Sequence, residues 1–132
     1  MSDRKEVRVV SAEVSLEGAY LLTQRMESAV FGGCWEFPGG RVRDGESDEE
    51  ALVRAMKDRL GVEVEVQSCV QEVSHAYPNY DLCLAVYRCR LIGEPSALRV
   101  QQFAWVPPEA FEDYPLPPAD ERSVQALLLD DH

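Results

Sequence analysis

Between Gly39 and Val62 the chain reads GGRVRDGESDEEALVRAMKDRLGV: a glycine pair, a turn, then acids and arginines in a helix-like run. Glycines let backbone approach a phosphate closely, and carboxylates three and four residues apart on a helix can hold Mg²⁺ through hard oxygen ligands. A divalent ion so held neutralises a diphosphate and activates water against it. The layout is that of phosphate-cleaving chemistry, with one departure. Where that chemistry wants a cluster of acids on the helix, the chain has Ala55, Asp58 and Arg59.

Such residues need a loop and a helix to place them. Ser47 followed three residues later by Glu50 is a capping box, in which each side chain satisfies a backbone N–H at a helix start. Ala51, Leu52, Ala55, Met56 and Leu60 recur at helical spacing, and Gly61 stands where a left-handed C-cap belongs. One amphipathic helix over Ser47 to Leu60 follows. Ahead of it, Val7 to Ser15 and Ala19 to Arg25 flank LEG as a hairpin, and Cys34 to Phe37 is a short strand ended by Pro38, Gly39 and Gly40. Behind it, VEVEVQSCVQEVS and DLCLAVYRCRL are two β runs around the turn YPNY. QFAWV is a further strand, PPEAFEDY a helical turn, and Asp120 opens a last helix reaching about Leu129. A single α/β domain over residues 1–132 accounts for all of this.

At 132 residues the chain can bury a core without staples, and its net charge of −11 (24 acidic against 13 basic residues) repels nucleic-acid backbones and anionic membranes. An acidic protein that handles phosphate needs a divalent cation or a local basic spot. The N-terminal MSDRKEV resembles no export signal and no apolar run approaches a membrane span, which points to the cytoplasm. Cys34, Cys69, Cys83 and Cys89 show no C-x-x-C spacing and are expected as buried thiols, the alternatives being zinc ligands or disulfides.

Gly40, five residues, Glu46, seven residues, Arg54, then Gly61 and Val62 resemble the Nudix box, G-x5-E-x7-R-E-U-x-E-E-x-G-U, at every structural position. WEFPGG before the box and YPLPPAD near the end resemble the MutT branch of that family, especially its CTP pyrophosphohydrolase-like members. The resemblance spans nearly the whole chain. It implies a Nudix-type α/β/α sandwich with a central mixed β-sheet, a small-molecule nucleotide as substrate, and Mg²⁺ or Mn²⁺ as cofactor. It also implies metal contacts from the Gly39 carbonyl and from Asp58, catalytic roles for Glu46 and Asp58, and a Glu46–Arg54 buttress between loop and helix.

Alignment to the box puts its three helix carboxylates on Ala55, Asp58 and Arg59, so only one acid remains. Arg59 about 5 Å from Mg²⁺ would repel it by roughly 7 kcal/mol at an effective dielectric of about 20. A further acid that many relatives carry before a late strand is missing from SALRVQQFAW, which has Arg99 instead. Glu50, Arg54 and Asp58 form a helical ladder, read either as an ion-pair stripe holding Arg54 or, with Glu49 or Glu50, as a rescued metal site. Arg59 either grips phosphates directly, as guanidinium does bidentately, or turns to water or to Asp58 or Glu46.

Binding candidates are Gly39, Gly40, Phe37, Arg59 and Asp120. Asp120 is an N-cap or, by resemblance, a base-edge reader suited to an amino group such as cytosine N4. Phe37, Trp35 and Tyr80 are candidates for a stacking wall, with one of Trp35 and Phe37 facing the cleft. His75 is expected as a hydrogen-bonded turn histidine. Two functions follow: a nucleoside triphosphate pyrophosphohydrolase with weak or absent activity, or a nucleotide-binding pseudoenzyme serving as sensor or interaction module.

Overall fold

The computed structural model describes residues 5–29, 31–78 and 80–115. The expected last helix and Asp120 lie outside them. Strand β1 (Lys5–Glu13) runs parallel to β7 (Tyr80–Ile92) and antiparallel to β5 (Gly39–Arg41), and β6 (Glu63–Tyr77) closes the order β5-β1-β7-β6. This is the mixed sheet of the α/β fold expected. The β6 and β7 runs do pair around the expected turn, with two register shifts, between Val66 and Ser68 and between Cys69 and Gln71.

The hairpin expected at the N-terminus is only partly formed. At Val14 the chain leaves the first sheet, so β2 (Ser15–Leu16) and β3 (Ala19–Gln24) turn back on each other without β1. Glu17 and Gly18 have φ of 52° and 84°, the left-handed pair that a two-residue hairpin turn requires. In this second, antiparallel sheet β3 also carries β4 (Trp35–Glu36), while β8 (Phe103–Val106) lies along its other edge. A 3₁₀ turn follows at Pro108–Asp113.

Helix α1 (Asp48–Leu60) starts as its sequence dictates. The Ser47 hydroxyl accepts from the Glu50 N–H at 3.1 Å, and Glu50 Oε1 accepts from the Ser47 N–H at 2.9 Å. Gly61, at φ 61°, ends it and donates to the Lys57 carbonyl. Its apolar stripe of Leu52, Met56 and Leu60 packs on Val10, Ala12 and Ala85 of the mixed sheet. Strand alternation turns Val7, Val9 and Ser11 the other way, toward a cavity between the two sheets.

Asp48 ties the helix start to the sheet, accepting from Arg8 at 2.8 and 2.7 Å and from the Tyr87 hydroxyl at 2.6 Å. All four cysteines are free thiols, but only Cys89 is buried. Cys69 is exposed at the register shift in β6, where strand irregularity turns its side chain outward.

Candidate functional site

The cavity is about 490 Å³, within the range of small-ligand sites. Val9, Leu82 and Leu84 line one apolar wall. Phe31, Tyr77 and Tyr80 also line it, with Tyr77 stacked on Tyr80 at 5.0 Å between centroids and Phe31 tilted on Tyr77 at 5.7 Å. Gly39, Gly40 and Arg59 line it as well, together with Lys5, Arg25, Glu36 and Arg41.

The glycine pair is there because nothing larger fits. A Cβ on Gly39 would overlap the Val10 carbonyl oxygen, and one on Gly40 would stand 2.9 Å from Ala55 Cβ. The same point on Gly40 lies 3.7 Å from Arg59 Nη2 and 3.9 Å from its Nε. The guanidinium therefore lies alongside the glycine loop, inside the cavity. Among the described residues it makes no ion pair or hydrogen bond; the two acids considered as partners, Asp58 and Glu46, are engaged elsewhere.

Glu46 grips Arg54 with both oxygens, at 2.7 Å to Nε and 2.9 Å to Nη2, while Nη2 also donates to the Arg41 carbonyl at 2.8 Å. The Arg54 hydrogen bonds, helped by the Arg43 N–H, bring the Glu46 carboxyl down to about 2. This is the buttress between loop and helix, and neither side chain lines the cavity. The ladder in which Glu50 and Asp58 hold Arg54 is not what forms. Glu50 is used by the cap, and Asp58 pairs with Arg99 at 3.1 Å.

Arg99 reaches Asp58 because its segment closes the helix C-terminus. Leu98 and Arg99 N–H groups both donate to the Arg59 carbonyl at 3.0 Å, and Ser96 N–H donates to Leu60 at 2.8 Å. Asp58 is thereby paired at the surface, outside the cavity lining.

Phe37 touches the cavity yet is only 1% exposed, packed edge-on against Tyr20 and Phe111. Trp35 sits two residues away on the same strand face and joins the same cluster, against Tyr114. Of the two, Phe37 alone lines the cavity, in keeping with the expectation that one faces the cleft, although both are chiefly core. The residue between them, Glu36, is the one that period-two alternation turns elsewhere. Its carboxylate accepts from Arg25 Nη1 at 3.0 and 3.1 Å; burial raises its pKa, and Arg25 and Arg59 oppose that rise.

His75 packs on Tyr77 at 4.4 Å, and its Nδ1 has no partner among the described residues, so the expected hydrogen bond is not seen there. Sequence reasoning missed Glu36, Arg25 and Tyr77. Alternation around Trp35 could have found the first, and the Tyr-x-x-Tyr pairing across the β6–β7 turn the last.

The described residues around the glycine pair do not fit Mg²⁺ or Mn²⁺. Ala55 offers no ligand atom, Asp58 is engaged by Arg99, Glu36 by Arg25, and a fixed cation lies beside the glycine loop. Among the described residues, no group of three or more His, Cys, Asp or Glu is placed to hold a metal ion. No described helix is long and apolar enough to cross a membrane.

Comparison with known proteins bears on this site. The model of the NUDIX domain family matches residues 10–126. The CTP pyrophosphohydrolase of Escherichia coli strain K12 is 33% identical over 125 residues, covering 94% of this chain and 93% of that one. An 8-oxo-dGTP diphosphatase of Haemophilus influenzae is 31% identical over 132 residues, covering 98% and 97%. Among solved structures, the solution structure of the E. coli ORF135 protein superposes with a TM-score of 0.85 at 32% identity over 98% of this chain and 93% of that one. The crystal structure of a MutT protein from Methanosarcina mazei Go1 shares the fold, with a TM-score of 0.87 at 19% identity over 99% of both chains.

Proposed function

We propose, from the premise that this chain belongs to the Nudix family of nucleoside triphosphate pyrophosphohydrolases, that it binds nucleoside di- and triphosphates and hydrolyses them weakly or not at all. The observation that carries this is the Arg59 guanidinium beside Gly40, with Ala55 beneath it, where the box has carboxylates.

The binding half rests on the cavity's two chemistries. Aromatic faces of Tyr77 and Tyr80 and the apolar floor suit a base; the glycine loop and its arginines suit phosphates. Asp120, if it reads the base edge, favours an amino group and hence a cytosine-type base, in keeping with the CTP enzyme among the relatives.

The weak half rests on charge. Hydrolysis of a diphosphate needs its developing negative charge met by preorganised groups, and loss of one such group costs on the order of a hundredfold or more. With Ala55 and Arg59 at two of the three box carboxylate positions and the third acid paired with Arg99, no ligand set remains among the described residues to bring a divalent ion against the loop. What persists is the scaffold: buttress, cap and glycine turn.

The test is a panel of nucleoside triphosphates, including CTP and 8-oxo-dGTP, incubated with the protein and excess Mg²⁺ or Mn²⁺. Thermal protection by at least one nucleotide, with pyrophosphate or phosphate release far below that of the E. coli CTP pyrophosphohydrolase run beside it, is expected. Release at a comparable rate would refute the weak half, and absence of protection across the panel the binding half.

A further inference from the structure

We propose, resting on the nucleotide-binding reading above, that Arg59 stands in for the divalent cation, so that the cavity takes the polyphosphate of a metal-free nucleotide. The mismatch between the cavity's donor set and a metal motivates this, because the mismatch has a direction. Oxygen ligands were not merely removed; a cation was put beside the loop.

The charge around that cation supports the idea. Among the described residues, four cationic side chains line the cavity, Lys5, Arg25, Arg41 and Arg59, against one carboxylate, Glu36. In a chain of net charge −11 this is a local basic spot, of the kind an acidic protein needs if it binds phosphate without a metal. Glu36 does not offset Arg59 in full, since both its oxygens are engaged by Arg25. The Arg59 side chain makes no hydrogen bond or ion pair among the described residues, so its guanidinium N–H donors are available to a ligand.

The geometry agrees. Both nitrogens nearest the loop, Nη2 and Nε, lie along one edge of the guanidinium, the edge that forms paired hydrogen bonds to two phosphate oxygens. A guanidinium is charged at every physiological pH and carries no exchangeable ion, so binding through it is indifferent to chelators. Added Mg²⁺ would weaken binding, because it complexes the phosphates and lowers the charge that the arginines attract.

Calorimetric titration of the full chain with CTP, and separately with inorganic tripolyphosphate, in EDTA and then in excess Mg²⁺, tests this. CTP is expected to bind in EDTA at least as tightly as in Mg²⁺. Arg59→Gln should weaken CTP and tripolyphosphate alike in EDTA by about tenfold or more, with Arg59→Lys between, since it keeps the charge and loses the fork. Circular dichroism and melting temperature of both variants should match the parent. If CTP binds only with Mg²⁺ present, the inference is overturned and the nucleotide-binding reading survives. Tripolyphosphate binding that ignores Arg59→Gln also overturns it, as does the failure of both CTP and tripolyphosphate to bind in EDTA, whereas the nucleotide-binding reading falls only if no nucleotide of the panel binds in either condition.

Discussion

Two arginine–carboxylate pairs touch the same helix and behave as opposites. Glu46 and Arg54 meet through two hydrogen bonds, and Arg54 donates to the Arg41 carbonyl at the end of β5 as well, so the pair clamps strand and loop to helix with side chains only 15% and 28% exposed. Asp58 and Arg99 meet at 3.1 Å with side chains 48% and 72% exposed. The first has the geometry of a structural joint. The second is a surface pair of the kind that contributes little stability, yet it occupies the one box acid that remained. The difference shows that a catalytic motif has separable halves: residues that shape the loop, and residues that supply charge to a reaction. Here the shaping half is formed, and on the proposed reading the charge half is what Ala55, Arg59 and the Asp58–Arg99 pair no longer supply.

The shaping half is the place to break the fold. Gly39→Ala should be the most damaging change, because its methyl would overlap the Val10 carbonyl and push β5 off β1; little soluble protein, or a melting temperature lowered by more than about 10 °C, is expected. Arg54→Ala should lower it by roughly 5 °C, read by thermal unfolding.

Acid sharpens the contrast. Glu46 and Asp48 have folded-state values below their ordinary 4.5 and 3.8, held down by Arg54 and by Arg8 respectively. A depressed carboxyl gives stability that is fully present above its unfolded value and is lost as pH falls through the folded one. Melting temperature should thus decline from about pH 4.5 toward about pH 2, and Glu46→Gln should start lower at neutral pH and decline less. A parallel decline in that variant would show that the buttress is not what acid attacks. The smallest effect belongs to Arg99→Ala, whose melting temperature should fall within about 1 °C of the parent, as exposed pairs do.

Much of this was legible in the chain itself. Ser47, Glu50 and Gly61 fix the helix ends by local hydrogen bonding, and such signals need no tertiary context. The glycine pair, and Ala55 and Arg59 where the family pattern has acids, could likewise be read directly. Partner choice could not. That Asp58 would find Arg99, 41 positions on, follows from how residues 96–99 close the helix C-terminus, a long-range event. Likewise the β1 hairpin was overextended, because the switch of sheet at Val14 is decided by packing rather than by alternation. Glu36 was passed over because its importance comes from two arginines that the fold alone brings to it.

The central claim is that the helix lacks the negative charge to hold a divalent ion. Restoring that charge tests it most directly: steady-state release of pyrophosphate or phosphate from CTP in excess Mg²⁺, compared between the parent and Ala55→Glu combined with Arg59→Glu. A rise of about a hundredfold or more over a feeble parent rate is predicted. A parent already fast, or a folded double variant no faster than the parent, would contradict it.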